Sequence, residues 1–168
     1  MAINSISPIL NESVSQTTAT PSVELGTRVT VASNDYIYVY NSGATSIAQG
    51  QAGFLPSASM SAFGASFVVT VSNAASQGGC RNIVGVAHNA AIAAATYGWL
   101  CTRGVVNAVP DASAVSQNSG VELVPGVDGG FVVYAGTSAT GVPVGLTLNS
   151  FVTTVGTGKI AFRSPLFG

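Results

Sequence analysis

A chain of 168 residues with 7% charged and 47% hydrophobic side chains and a mean hydropathy of +0.48 is far poorer in charge than the roughly 25% usual in soluble proteins. Net charge is −1, and the five basic residues, Arg28, Arg81, Arg103, Lys159 and Arg163, are dispersed along the sequence, so the basic clusters that displace counterions from phosphates are missing and direct nucleic-acid binding is not expected. No run reaches the roughly 18 to 20 apolar residues of a spanning helix, because Gly85, His88, Asn89, Thr96 and Gly98 break the most apolar region; no membrane span is expected.

The length suits one domain, or one domain plus an extended arm, with a core that needs no metal or disulfide. The first residues carry no basic leader and no continuous apolar segment, which speaks against a secretory signal and for synthesis in the cytosol. Residues 1–24 scatter Ile3, Ile6, Ile9, Leu10 and Val14 among polar residues, and Pro8 and Pro21 interrupt any regular element. This predicts an extended N-terminal arm, suited to lying on another subunit or ending as a loose terminus. A β-domain is expected over residues 25–168.

From Val23 the period becomes two. Arg28–Ala32 and Tyr36–Tyr40 predict a hairpin, with Asn34-Asp35 supplying turn chemistry. Tyr36, Tyr38 and Tyr40 share one face of the second strand, and Ile37 and Val39 the other. The tyrosine stripe reads either as cross-strand packing or as a surface for a sugar or protein. Further strands are expected over residues 47–55, 67–71, 83–87, 99–106, 120–124, 131–135, 144–149 and 158–163, separated by Gly, Pro, Asn and Ser turns. About ten short strands with regularly spaced glycine turns predict an all-β fold, a compact β-sandwich or barrel.

An internal repeat stands out at a spacing of sixty residues. Val84, Gly85, Asn89, Gly98 and Arg103 recur as Val144, Gly145, Asn149, Gly158 and Arg163, while Ile92, Ala95 and Leu100 correspond to Val152, Val155 and Ile160. Each copy reads as a β-arch or hairpin: two apolar strands around a spacer of small residues.

Chemistry-bearing residues are sparse. His88 is the only histidine, so it would have to be the base of any hydrolytic triad, and no local signature surrounds it. No close carboxylate pair of the glycosidase type is visible in the sequence. Gly126–Gly130 has too few oxygen ligands for a calcium loop and no P-loop lysine. Cys80 and Cys101 lack metal-ligand or redox spacing; a disulfide across neighbouring strands is geometrically possible, and reduced structural thiols are the expectation for a cytosolic chain. No catalytic residue, cofactor or metal site is read from the chain.

Val84-Gly85-Val86-Ala87, the small-residue spacer, Tyr97 to Val106 and the second copy beginning Val144-Gly145 resemble, together with Tyr36–Gly43, the small capsid decoration (cement) proteins of tailed bacteriophages. The resemblance spans roughly residues 25 to 163. It implies a non-enzymatic virion protein on the outside of the head, often trimeric, that clamps neighbouring major capsid subunits against internal DNA pressure. Such a protein works by burying surface, which favours small and apolar side chains over charges that must be desolvated. Ile3, Ile6, Ile9 and Leu10 of the arm, and Leu166 and Phe167 of the tail, are the natural interface residues. Two alternatives are a head-fibre or receptor-binding module that holds a host glycan on its tyrosine face, and an enzyme subunit dependent on His88.

Overall fold

The computed structural model describes residues 13–56, 67–71, 82–111, 119–126, 128–134, 143–149 and 157–167. Among them are ten strands and no helix: β1 Arg28–Val31, β2 Asn34–Asn41, β3 Ala52–Phe54, β4 Val68–Val69, β5 Ile83–Val86, β6 Tyr97–Ala108, β7 Glu122–Pro125, β8 Phe131–Val133, β9 Gly145–Thr147 and β10 Gly158–Arg163. The expected all-β fold is the observed one, and each expected strand has a counterpart. One sheet runs β1-β2-β6-β10-β9-β7-β8; β4 joins β2, and β5 joins β6 and carries β3. All strand pairs are antiparallel except β2 with β4.

The path branches because β6 serves two parts of the sheet. Its first half pairs with β2, from Tyr40↔Tyr97 to Tyr36↔Cys101, and with β5 at Val86↔Cys101. Its second half, Arg103 to Ala108, pairs with β10. Between the halves the register on β2 shifts at Asp35/Tyr36, and Gly104 takes a φ of 133°, a backbone that L side chains rarely adopt. A bulge with a glycine beside it re-aims a strand, and here it divides β6 between its two sets of partners.

Two cores result, one on each face of β2. Tyr36, Tyr38, Trp99, Cys101 and Phe54 join Val106, Leu123, Phe131, Val144, Ile160 and Phe162 in the first. This core therefore lies between the β2, β3 and β6 region and the inner face of β7 to β10. The second takes Ile37, Val39, Ile47, Val84, Ile92 and Leu100, with Leu166 and Phe167 packed against it. The alternation read in Tyr36–Tyr40 is thus a strand buried on both sides, with Tyr36 and Tyr38 in the core on one of them and Tyr40 half-buried at its end.

One local expectation is corrected. The β1–β2 turn is Ala32-Ser33, with φ of 49° and 70°, and Asn34 already pairs with Val31 inside the ladder. Two-residue hairpin loops of this kind need positive φ at both central positions. Asn34, the better turn former, is instead engaged across the sheet by the backbone of Val105.

The two copies of the repeat are both hairpins, their strands paired antiparallel in the sheet rather than arched apart, and they correspond in detail. β5 meets β6 at Val86↔Cys101, and β9 meets β10 at Leu146↔Ala161; both residues of the second pair lie sixty positions after those of the first. A Cβ on Gly85 would meet the Cys101 carbonyl and Leu100, and one on Gly145 would meet the Ala161 carbonyl and Ile160, the same two partners displaced by sixty. Arg103 and Arg163 are both exposed and face each other as partners across β6 and β10.

Of the expected arm, residues 13–24 lie on the β-domain. Thr18 exchanges both backbone hydrogen bonds with Tyr97, at 3.1 and 2.8 Å, and Val14 and Val23 pack on the first core. Ile3, Ile6, Ile9 and Leu10 fall outside the described residues.

Candidate functional site

The outer face of β6, β10, β9 and β7 differs from the rest of the sheet. The opposite face of these strands carries the first core, but nothing described covers this one. Ladder pairing sets Val105, Ala161, Leu146 and Glu122 in one row across the four strands. Val105, Leu146 and Leu148, 46%, 40% and 47% exposed, are the large exposed hydrophobics among the described residues, and all three lie here. Around them stand Arg103, Arg163, Lys159 and Glu122, all exposed. The basic residues that look dispersed in sequence are therefore partly gathered by strand pairing, three of the five on one surface. Arg103 is held by Asp35 at 2.9 Å; neither Arg163 nor Lys159 has a carboxylate partner among the described residues.

β9 is inverted relative to its chemistry. Thr147 points inward and is 1% exposed, while Leu146 and Leu148 on either side point out. The inward hydroxyl is satisfied by the Val121 N–H at 2.8 Å, which gives this register a polar anchor. Slipping by one residue would turn the leucines in and orphan that donor.

The expected tail interface residues occupy different surroundings. Leu166 and Phe167 are half-buried on the second core. Phe167 lies near Phe67, with ring centroids 6.3 Å apart, and beneath the Arg28 guanidinium at 4.5 Å. Ser164 fixes the start of this tail through a hydroxyl hydrogen bond to the Ile83 carbonyl and a backbone bond to Thr102.

His88 is tied into the sheet. Its Nδ1 accepts the Asn107 N–H at 3.1 Å, and burial holds its pKa below the ordinary histidine value. Cys101 is buried, donates to the Arg103 carbonyl at 3.3 Å, and has its thiol pushed up to about 12 by desolvation, with Asp35 adding to the rise; Cys80 lies outside the described residues. Among the described residues no three His, Cys, Asp or Glu side chains assemble as a metal site, and no helix is long and apolar enough to cross a membrane.

Two of the three tyrosines of the stripe are internal, and Tyr40 is half-buried against Tyr97. Tyr36 and Tyr38 are buried, and Tyr38 packs against Trp99 and Tyr97, with centroids at 5.0 and 6.0 Å. The Tyr38 hydroxyl lies 3.1 Å from the Thr18 hydroxyl and accepts from the Ser22 backbone N–H and hydroxyl. Cross-strand packing is the use that the fold makes of these rings.

Fold and surface together define an all-β domain with a doubly buried central strand and one open apolar sheet face. A scan against protein-family models finds no match, and a search of curated proteins finds none.

Proposed function

We propose that this chain is a structural virion protein, a capsid decoration protein that binds the outside of a phage head and stabilises contacts between major capsid subunits. The observation that carries a structural rather than a catalytic role is the open face of β6, β10 and β9, where Val105, Leu146 and Leu148 are exposed together. Contiguous exposed apolar surface with a polar rim marks a protein that completes its burial against a further chain, a partner's or its own. The low charge fits the same role, since an interface of small and apolar side chains has few ions to desolvate. The capsid as partner rests on the sequence resemblance.

In this reading Ile3, Ile6, Ile9 and Leu10 make the attachment. A glycan-binding head-fibre module would draw on the tyrosine face, whereas Tyr36 and Tyr38 are placed in the core.

The test is cosedimentation of the full chain with DNA-free, expanded heads of the phage that encodes it. Saturable binding and a higher temperature of head disruption are expected, and removal of residues 2–12 should sharply weaken binding while leaving the domain's thermal unfolding nearly unchanged. Heads that neither retain the full chain nor gain thermal resistance would overturn the reading.

A further inference from the structure

We propose that the outer face of β9 and β10 binds a second copy of this chain about a twofold axis parallel to β9. Here the second copy takes the open face and capsid attachment is left to Ile3, Ile6, Ile9 and Leu10, so the dimer does not depend on capsid binding.

The argument begins with the inverted strand. Leu146 and Leu148 are turned to solvent by a register anchored through Thr147 and Val121. A solvated strand face ordinarily carries polar residues, so the inversion leaves an apolar face in need of cover.

Charge then selects the occupant. Glu122 stands one strand from β9 on one side, opposite Leu146, and Ala161 stands one strand from β9 on the other. Lys159 and Arg163 flank Ala161, each two residues along β10 and on the same side of the pleat. Neighbouring strands are about 4.8 Å apart. A half-turn about an axis running along β9 therefore sets Leu146 and Leu148 of one copy against the same residues of its mate. The same rotation carries Glu122 over Ala161 of the mate, between its lysine and its arginine.

An acid displaced to one side of an apolar stripe and two bases to the other make the face its own complement, as an isologous contact requires. Val105 closes the row beyond Ala161 and widens the apolar area. Such a contact yields a dimer or another even-numbered assembly, in place of the trimer that the sequence resemblance implies.

Sedimentation velocity of the full chain across micromolar concentrations tests it. The wild type should sediment as a dimer. Leu146→Asp, at an exposed position outside both cores, should be monomeric with an unchanged circular dichroism spectrum. Lys159→Glu with Arg163→Glu should weaken the dimer by at least about tenfold, and adding Glu122→Lys to that pair should restore most of the loss. A monomeric wild type, a trimer, or a dimer unaffected by both Leu146→Asp and the charge reversal would overturn the proposal.

Discussion

Asn34 grips the backbone of Val105 with both ends of its amide: Oδ1 accepts the Val105 N–H at 3.0 Å and Nδ2 donates to the Val105 carbonyl at 3.2 Å. The side chain thereby imitates a strand residue at the place where β6 bulges away from β2. Gly104 lies directly beneath it, at φ 133°, and any Cβ there would run into the Asn34 side chain. Asn34→Ala should cost about 1 kcal/mol, because both bonds lie near solvent and water can replace part of them. Gly104→Val should cost more, about 2 to 3 kcal/mol, through backbone strain and collision. Urea denaturation of the two variants measures the difference, and equal losses would contradict this account of the bulge.

The equivalent glycines of the two repeated hairpins should not tolerate substitution equally. A Cβ on Gly85 would stand 2.5 Å from the Cys101 carbonyl oxygen, a backbone atom that cannot step aside. On Gly145 the nearest atoms are Ile160 Cδ1 at 3.2 Å and the Ala161 oxygen at 3.3 Å, and the former is the end of a flexible side chain. Gly85→Ala should destabilise by about 2 to 3 kcal/mol and Gly145→Ala by less than about 1 kcal/mol. Thermal melts of the pair settle the order, and a larger loss at Gly145 would refute it.

Much of the fold was legible because its signals are local. Alternation in Tyr36–Tyr40, the unbroken Phe67–Val71 run and the sixty-residue repeat each place a strand without knowledge of its partner. What they leave open is which face meets which neighbour. Period two says that Leu146 and Leu148 share a face, but only the Thr147 to Val121 bond decides that the face is outward. Likewise Arg103, Lys159 and Arg163 are far apart in sequence, and the β6 to β10 register alone sets Arg103 opposite Arg163. The open face was therefore missed, although the repeat that delivers both arginines was visible. The turn was misplaced for a similar reason: Asn34 has turn chemistry, but its tertiary bond to Val105 outweighs that propensity.

His88 should make stability depend on pH in one direction. Burial lowers its pKa in the folded state below the unfolded value of 6.5, and protonating Nδ1 would also forfeit the bond from the Asn107 N–H. The contribution is thus fully present above pH 6.5 and is lost as pH falls through the folded pKa, because the unfolded chain binds the proton first. His88→Gln should flatten this part of the curve. Melting temperatures of both proteins between pH 5 and pH 8 would show it, and parallel curves would mean that His88 is not the group responsible.

Tyr38 joins the segment before β1 to the centre of the sheet. Its ring is 1% exposed, yet its hydroxyl meets the Thr18 hydroxyl and both donors of Ser22, all within 3.2 Å. Beyond that hydroxyl, Thr18 is held to the domain edge by its two backbone bonds with Tyr97. Tyr38→Phe keeps the ring and its packing on Trp99 but removes the shared oxygen, so the loss should be about 1 to 2 kcal/mol and should fall mostly on the segment. Local opening exposes the amides of the unit that opens and leaves the core protected. Hydrogen exchange should therefore quicken by about tenfold or more at Thr18 and Tyr97, with Ile37 and Leu100 little changed. Uniform acceleration through β2 and β6 would instead mean that the hydroxyl stabilises the whole domain and that residues 13–24 are an integral part of its cooperative unit.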